Sequence, residues 1–470
     1  MKRFFYVLLS LGFTLSIGAA QIADDWPNPF EMDFDPIEFT AAEPVRAELS
    51  NGIIVYLLED DTLPLVQGVA YIDAPGIFDP VDKVGLASMT ASLLREGGAG
   101  GRSATEIDEQ LEFLAASVEA SAGDVLASVS FNALAENVDE VLPIWRDVIR
   151  QPDFDEGRLE VARGRTLESI RRENDNPVQI AVREFYFRVA EGHPSGYFAT
   201  EDTINAISRQ DLMNFHNTYY QPSATAIAVT GAFNTDEMLA KLEATLGDWE
   251  NQEVNYPDIP AFNPDPEPKI YHAQKEFAQS IIIVGHPTAK AYSPEYNDFD
   301  VANQILGNGF SSRLFTEIRT KRGLAYSTGT GLQQGFEYPS ILLAFGITNG
   351  ETTGEVLGLI LSEIERLQAD GVTDAELEQR RETILNRSLF RFTSPSAITE
   401  RTARVGLLGL EPGYYERYLE NVQSISTEDV QAIAQSAYRP TEAVIMVVGD
   451  EALFDVPLST FGDVVPIDLE

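Results

Sequence analysis

Apolar and polar residues alternate through Val125-Leu126-Ala127-Ser128-Val129-Ser130-Phe131, a period of two that predicts a half-buried strand. From Glu355 to Leu367 the apolar residues recur at spacings of three and four, which predicts a helix with one face on a core. Strand-like runs outnumber what a simple strand–helix alternation would give. The pattern predicts an α+β fold, with helices packed on a largely antiparallel sheet.

The pattern also repeats. Residues 206–231 (AISRQDLMNFHNTYYQPSATAIAVTG) match residues 424–449 (SISTEDVQAIAQSAYRPTEAVIMVVG) at a constant offset of 218. Ser208-x-x-Asp211 and Ser426-x-x-Asp429 are helix starts, in which serine caps free N–H groups and the acid meets the positive end of the helix dipole. Each helix should end near its Tyr-x-Pro, because proline cannot continue it, and a β-rich run closed by Gly231 or Gly449 follows. Upstream, Leu159, Glu160, Arg163 and Leu167 pair with Leu377, Glu378, Arg381 and Leu385 at the same offset, which becomes 215 around Glu140 and Glu355. The chain therefore reads as two homologous domains, residues 41–255 and 269–470, joined by the proline-rich linker 256–268. Ser103-x-x-Glu106 and Thr373-x-x-Glu376 are capping boxes.

Composition sharpens this picture. At 470 residues, 44% hydrophobic and 10% aromatic, the chain can bury large cores. Residues 1–20 have the form of a secretory signal: Lys2 and Arg3, an apolar stretch from Phe4 to Leu15, then Gly18-Ala19-Ala20. A short extension, 21–40, would follow. The expected location is the periplasm, with no membrane span after cleavage. With no cysteine, disulfides, a thiolate metal site and a lipoprotein anchor are excluded. A net charge of −41 excludes nucleic acid as a partner, because phosphate binding needs the opposite sign. The acids are scattered along the chain, so solubility in a saline habitat is the simpler explanation, and an acidic cavity for basic peptides the sharper one.

Two stretches carry a family resemblance. Gly85-Leu86-Ala87-Ser88-Met89-Thr90-Ala91-Ser92 continues into Leu93-Leu94-Arg95-Glu96-Gly97-Gly98 and Arg102-Ser103-Ala104-Thr105-Glu106-Ile107. Gly307-Asn308-Gly309-Phe310-Ser311-Ser312-Arg313-Leu314-Phe315 is followed by Ile318-Arg319 and Gly323-Leu324-Ala325-Tyr326-Ser327. Together they resemble the amino- and carboxy-terminal signatures of the M16 (insulinase, pitrilysin-like) metallopeptidases, over residues 40–450. The resemblance implies the LuxS/M16 metallohydrolase-like α+β fold of the two-domain bacterial type.

That family uses H-x-x-E-H on a helix: two histidines grip zinc, the glutamate between them is the general base, and a distant glutamate is the third ligand. On this chain the histidine positions are Ser88 and Ser92, the base is Ala91, and the distant ligand falls at Ser169, beside Glu168. Serine hydroxyls are poor zinc ligands and alanine carries no proton. His193, His216, His272 and His286 are the only histidines, with no pair at ligand spacing. No metal is expected in this chain. A serine nucleophile would need a base and an oxyanion hole, and no G-x-S-x-G elbow is present. Ser88 and Ser92 read as small polar fillers, His193-Pro194 as loop packing, and Phe310 to Leu314 as a serine-capped helix start.

Arg319 and Tyr326 survive. The resemblance implies that this pair touches substrate near the zinc, with phenol and guanidinium suited to an oxyanion and a peptide carbonyl. Gly323 suggests a tight turn feeding the strand of Tyr326. The implied role is a non-catalytic subunit that lends Arg319 and Tyr326 to an H-x-x-E-H partner, with zinc in the partner and unfolded peptide as substrate, added as a strand to the partner's sheet edge. The alternatives are an inactive scaffold or peptide-binding protein of the envelope, and an active enzyme with a different metal site.

Overall fold

The computed structural model describes residues 42–469 except 124, 393 and 412, and gives no side chains over 389–392. The expected signal and extension, 1–20 and 21–40, lie outside the described residues. Among the described residues twelve strands form two six-stranded sheets. In the first half, β1 (Val45–Glu48), β2 (Ile54–Glu59), β3 (Leu65–Ile72), β4 (Ser117–Ala122), β5 (Ala127–Leu134) and β6 (Thr225–Gly231) lie in the order β1-β2-β6-β3-β5-β4. In the second, β7 (Ile270–Gln274), β8 (Gln279–Thr288), β9 (Ala325–Gln333), β10 (Ser340–Asn349), β11 (Val444–Gly449) and β12 (Val464–Ile467) lie in the order β12-β7-β11-β8-β10-β9.

The late strand of each half inserts between two earlier ones, β6 between β2 and β3 and β11 between β7 and β8, and is parallel to the first of each pair and antiparallel to the second. Most pairings are antiparallel, as the sequence pattern predicts. The alternation of β5 is that of a strand with one face on the core, whereas β6, apolar but for Thr225 and Thr230, and β11, apolar throughout, are buried along their whole length. A strand covered on both faces loses its alternation. Gly231 closes β6 at φ 142°, and a Cβ there would stand 2.1 Å from the Leu65 carbonyl oxygen. The outer strands differ: β1 runs antiparallel to β2, but β12 runs parallel to β7.

Helices α1 (Leu86–Glu96), α2 (Ala104–Phe113), α3 (Val138–Arg150), α4 (Glu156–Glu173), α5 (Pro177–Val189), α6 (Glu201–Ala206), α7 (Arg209–Tyr219) and α8 (Thr235–Leu246) belong to the first half. Their counterparts in the second are α9 (Tyr296–Gly307), α10 (Thr353–Asp370), α11 (Asp374–Phe392), α12 (Pro395–Leu407), α13 (Tyr414–Ser424) and α14 (Thr427–Ala437). No described helix is long and apolar enough to cross a membrane. The four expected helix starts are all capping boxes: Ser103 with Glu106, Ser208 with Asp211, Thr373 with Glu376 and Ser426 with Asp429. The duplication extends to single bonds. Arg163 of α4 donates to the Ile204 and Ile207 carbonyls, and Arg381 of α11 donates to those of Val422 and Ile425.

Each sheet packs one face on its own helices. Leu93, Trp145 and Leu242 meet Val55, Ile227 and Val229, while Leu306, Ile360 and Val430 meet Ile282, Val284 and Val447. The opposite faces are exchanged. Helix α5 places Ile180, Phe185 and Val189 on Ile281, Ile283 and Met446 of the second sheet. Helix α12 places Ala403 and Leu407 on Tyr56, Val69 and Ala228 of the first. The halves are interlocked, and residues 256–268 between them form neither helix nor strand.

Candidate functional site

The first candidate region is α1. Gly85 precedes it in a left-handed conformation (φ 105°) and supplies no side-chain cap. Asp79 takes that role from a distance, accepting the N–H groups of Gly85 (2.8 Å) and Ala87 (2.9 Å). Burial pushes the Asp79 carboxyl up to about 6, against the opposing pull of these amides.

Ser88 is exposed on α1, Ser92 lies one turn on and half-buried, and Ala91 points wholly into the core. Ser169 is exposed on α4, which packs against α1. Its neighbour Glu168 is spent on Arg172 (2.6 Å), an exposed pair. Ser88 and Asp79 line a cleft of about 370 Å³ that Tyr338 and Gln333 of the second half also reach. A zinc ion does not fit these positions: three hydroxyls and a methyl offer neither imidazole nor carboxylate. Among the described residues no three His, Asp or Glu side chains converge into a metal-binding group.

The histidines serve packing. His193 Nδ1 meets Ser195 Oγ at 2.7 Å, and its ring packs against Phe262 and Tyr338, which stack on each other. His216 Nε2 bonds the Ile149 carbonyl (2.7 Å), and His272 Nε2 that of Gly449 (3.1 Å). His286 accepts the Arg439 N–H on Nε2 (3.0 Å), so its Nδ1–H donates to the Pro287 carbonyl (2.9 Å). Burial pushes it down to about 4, and it stays neutral.

The second candidate region does come together. Residues 315–320 form a π-helical turn that carries Arg319. Gly323 then turns the chain at φ 68° into β9, where Tyr326 stands 78% exposed. The Arg319 guanidinium lies 4.7 Å over the Tyr326 ring and 4.9 Å from that of Phe315, and Nη1 donates to the Tyr326 carbonyl (2.6 Å). Stacking and this hydrogen bond fix the two side chains as one unit. The unit borders a cleft of about 330 Å³ lined by Gly307 to Phe310, Phe315 and β9. Its strand, β9, is the edge of the second sheet.

One local expectation fails. Neither serine of Phe310 to Leu314 caps the helix: Ser312 stands directly before it, yet is fully buried with its hydroxyl unpartnered, and Ser311 Oγ accepts instead from Arg380 (3.4 Å). Sequence reasoning also missed Phe310, 82% exposed and edge-on to Phe315 at 5.1 Å. Its signal was present, a bulky aromatic between glycine and serines.

Comparison with known proteins bears on the family and the fold. Residues 56–193 match the family model described as Insulinase (Peptidase family M16), and 206–384 match that of the Peptidase M16 inactive domain. A relative named uncharacterized zinc protease YmxG, from Bacillus subtilis, is 22% identical over 86% of this chain and 97% of its own. The fold matches a crystal structure of a peptidase M16 inactive domain from Pseudomonas fluorescens, with TM-score 0.80, 22% identity, and 87% and 98% of the two chains covered. It also matches the periplasmic protease PqqL of Escherichia coli, with TM-score 0.75, 14% identity, and 92% of this chain but 49% of that one covered. With both halves matched to models of one family, in chain order and on its fold, this chain belongs to peptidase family M16.

Proposed function

We propose that the chain is the non-catalytic subunit of an exported, heterodimeric M16 zinc peptidase that hydrolyses unfolded peptides. The carrying observation is the Arg319–Tyr326 unit, preassembled and open to solvent, in a chain whose own metal positions are Ser88, Ala91, Ser92 and Ser169. A tyrosine hydroxyl held this way can donate to a carbonyl oxygen as it gains charge. The stacked guanidinium still has N–H groups to fix a neighbouring peptide carbonyl. Both would act at the H-x-x-E-H site of the partner, where the zinc belongs. Relatives that bear the name zinc protease support peptide hydrolysis as the reaction of the assembly. Residues 1–20 would direct the chain to the periplasm.

The test is co-expression with an exported M16 subunit that carries H-x-x-E-H, reading turnover of an unfolded peptide. Arg319→Ala and Tyr326→Phe should each lower turnover by about tenfold to a thousandfold while the complex still forms. Unchanged turnover in both variants sinks the lending role and leaves an envelope scaffold or peptide-holding protein.

A further inference from the structure

The duplication leads to a second site. At the offset of 218, Ser169 of α4 becomes Arg387 of α11. Helix α9 follows β8 and packs on α11 as α1 follows β3 and packs on α4. The second-half counterpart of the lost metal positions is therefore the space between α9 and α11, and a cavity of about 410 Å³ occupies it.

Its lining inverts the charge of the chain. In a protein with 74 acidic and 33 basic residues, the cavity gathers Arg387, Arg401 and Arg404 around one carboxylate, Asp300. Asp300 is engaged by Gln304 Nε2 (2.9 Å) and the Tyr418 hydroxyl (2.6 Å). Arg401 lies over the Tyr415 ring at 4.6 Å and Arg404 over that of Tyr71 at 5.8 Å. Neither Arg387 nor Arg404 has a carboxylate at ion-pair distance among the described residues, whereas most arginines elsewhere have one. Arg380, two turns before Arg387 on α11 and only 4% exposed, is likewise spent on neutral partners: the Asn308 carbonyl (2.9 Å) and Ser311 Oγ (3.4 Å). Both Arg380 and Arg387 reach to 3.7 Å from the Cβ position of Gly309.

Three like charges around a single carboxylate repel, and guanidinium groups present paired donors that match the two oxygens of a carboxylate. Tyrosine rings around them supply rigid apolar walls with further donors at their tips. The cavity meets the cleft of Arg319 at Asn308, which lines both. We propose that this cavity is a carboxylate-binding site for peptides, taking a C-terminal carboxylate or an acidic side chain. The choice of a peptide rests on the function proposed above, but recognition of the carboxylate does not.

The test is titration calorimetry on the purified full chain without a partner, so that failure of the lending role leaves the result intact. The probes are an acetylated glycine–alanine octapeptide with a free C-terminal carboxylate, its C-terminal amide, the amide with one internal glutamate, and inorganic phosphate. Binding of the free acid is expected, weakened about tenfold by amidation and by Arg387→Gln or Arg404→Gln, and unchanged by Arg319→Ala. Recovery of binding by the internal glutamate would assign the site to acidic side chains, and its absence to chain ends. Thermal unfolding should be the same in both glutamine variants, which separates lost recognition from lost folding. Equal binding of acid and amide, or phosphate binding without peptide binding, would overturn the proposal.

Discussion

The two halves of the molecule keep the same skeleton and fill it with opposite volumes. Strand register aligns Tyr71, opposite Ala226, with Gly285, opposite Val444. The offset of 218 aligns Phe185 of α5 with Ala403 of α12. In the second sheet the large residue comes from the visiting helix: Phe185 sits 2.5 Å from where a Gly285 Cβ would be. In the first sheet the strand supplies Tyr71 and the helix only Ala403. What the duplication preserves is the filled volume of each interface, with the bulk free to sit on either side.

The same contrast holds for chemistry. Positions that hold the backbone, the paired caps and Arg163 with Arg381, are the same in both halves. Exposed positions differ instead: Ser169 of α4 has Arg387 of α11 as its equivalent. Ser88 and Ser169 are exposed, so side chains at these positions can change at little cost to the core.

The largest effect should come from the exchanged helices. Phe185→Ala is expected to cost about 3–5 kcal/mol, because Gly285 leaves nothing to collapse into the cavity. Ala403→Gly, on the other side of the comparison, should cost much less, about 1 kcal/mol from helix propensity plus a small cavity. Equal losses in chemical denaturation would break the volume argument.

Acid should act next, through the second half. His286 stands where the register places Ile72 in the first sheet. Its folded pKa, about 4, lies below its ordinary value of 6.5. A depressed histidine pKa gives stability that is whole above pH 6.5 and lost as pH falls towards 4, on the order of 3 kcal/mol for this group. His286→Gln, which keeps an acceptor for the Arg439 N–H, should flatten that part of the stability–pH curve. A curve unchanged between pH 4 and 6.5 would remove His286 from the account. Asp79, raised to about 6, acts in the opposite sense, its contribution present below 3.8 and lost as pH rises through 6, so Asp79→Asn should steepen the acid loss.

The smallest effect tests the repeat itself. The Tyr220 and Tyr438 hydroxyls occupy equivalent places, wholly buried and without a hydrogen-bond partner. Tyr220→Phe and Tyr438→Phe should each be neutral or stabilise by up to about 1 kcal/mol, because a lone buried hydroxyl is removed. A loss in only one half would show that the equivalence is formal.

The repeat was legible because its marks are local: Ser-x-x-Asp caps, Tyr-x-Pro ends and a closing glycine each act within a few residues. That Ser88 and Ser92 share one side of α1 was legible for the same reason, since a spacing of four on one helix fixes which residues share a face. The exchange of α5 and α12 was not, because amphipathic periodicity gives a helix its buried face but not the sheet that covers it. The arginine cavity draws on α9, α11, α12 and α13, and no motif spans such distances. Arg319 and Tyr326 could be named from sequence. Their union through stacking and a main-chain hydrogen bond required the π turn at 315–320.

The most direct measurement is the zinc content of the full chain purified alone and dialysed against zinc-free buffer. The account predicts well under one zinc per chain and no cleavage of unfolded peptide, because Ser88, Ala91, Ser92 and Ser169 offer no ligand set. One tightly held zinc per chain, with peptide hydrolysis in the absence of any partner, would contradict it.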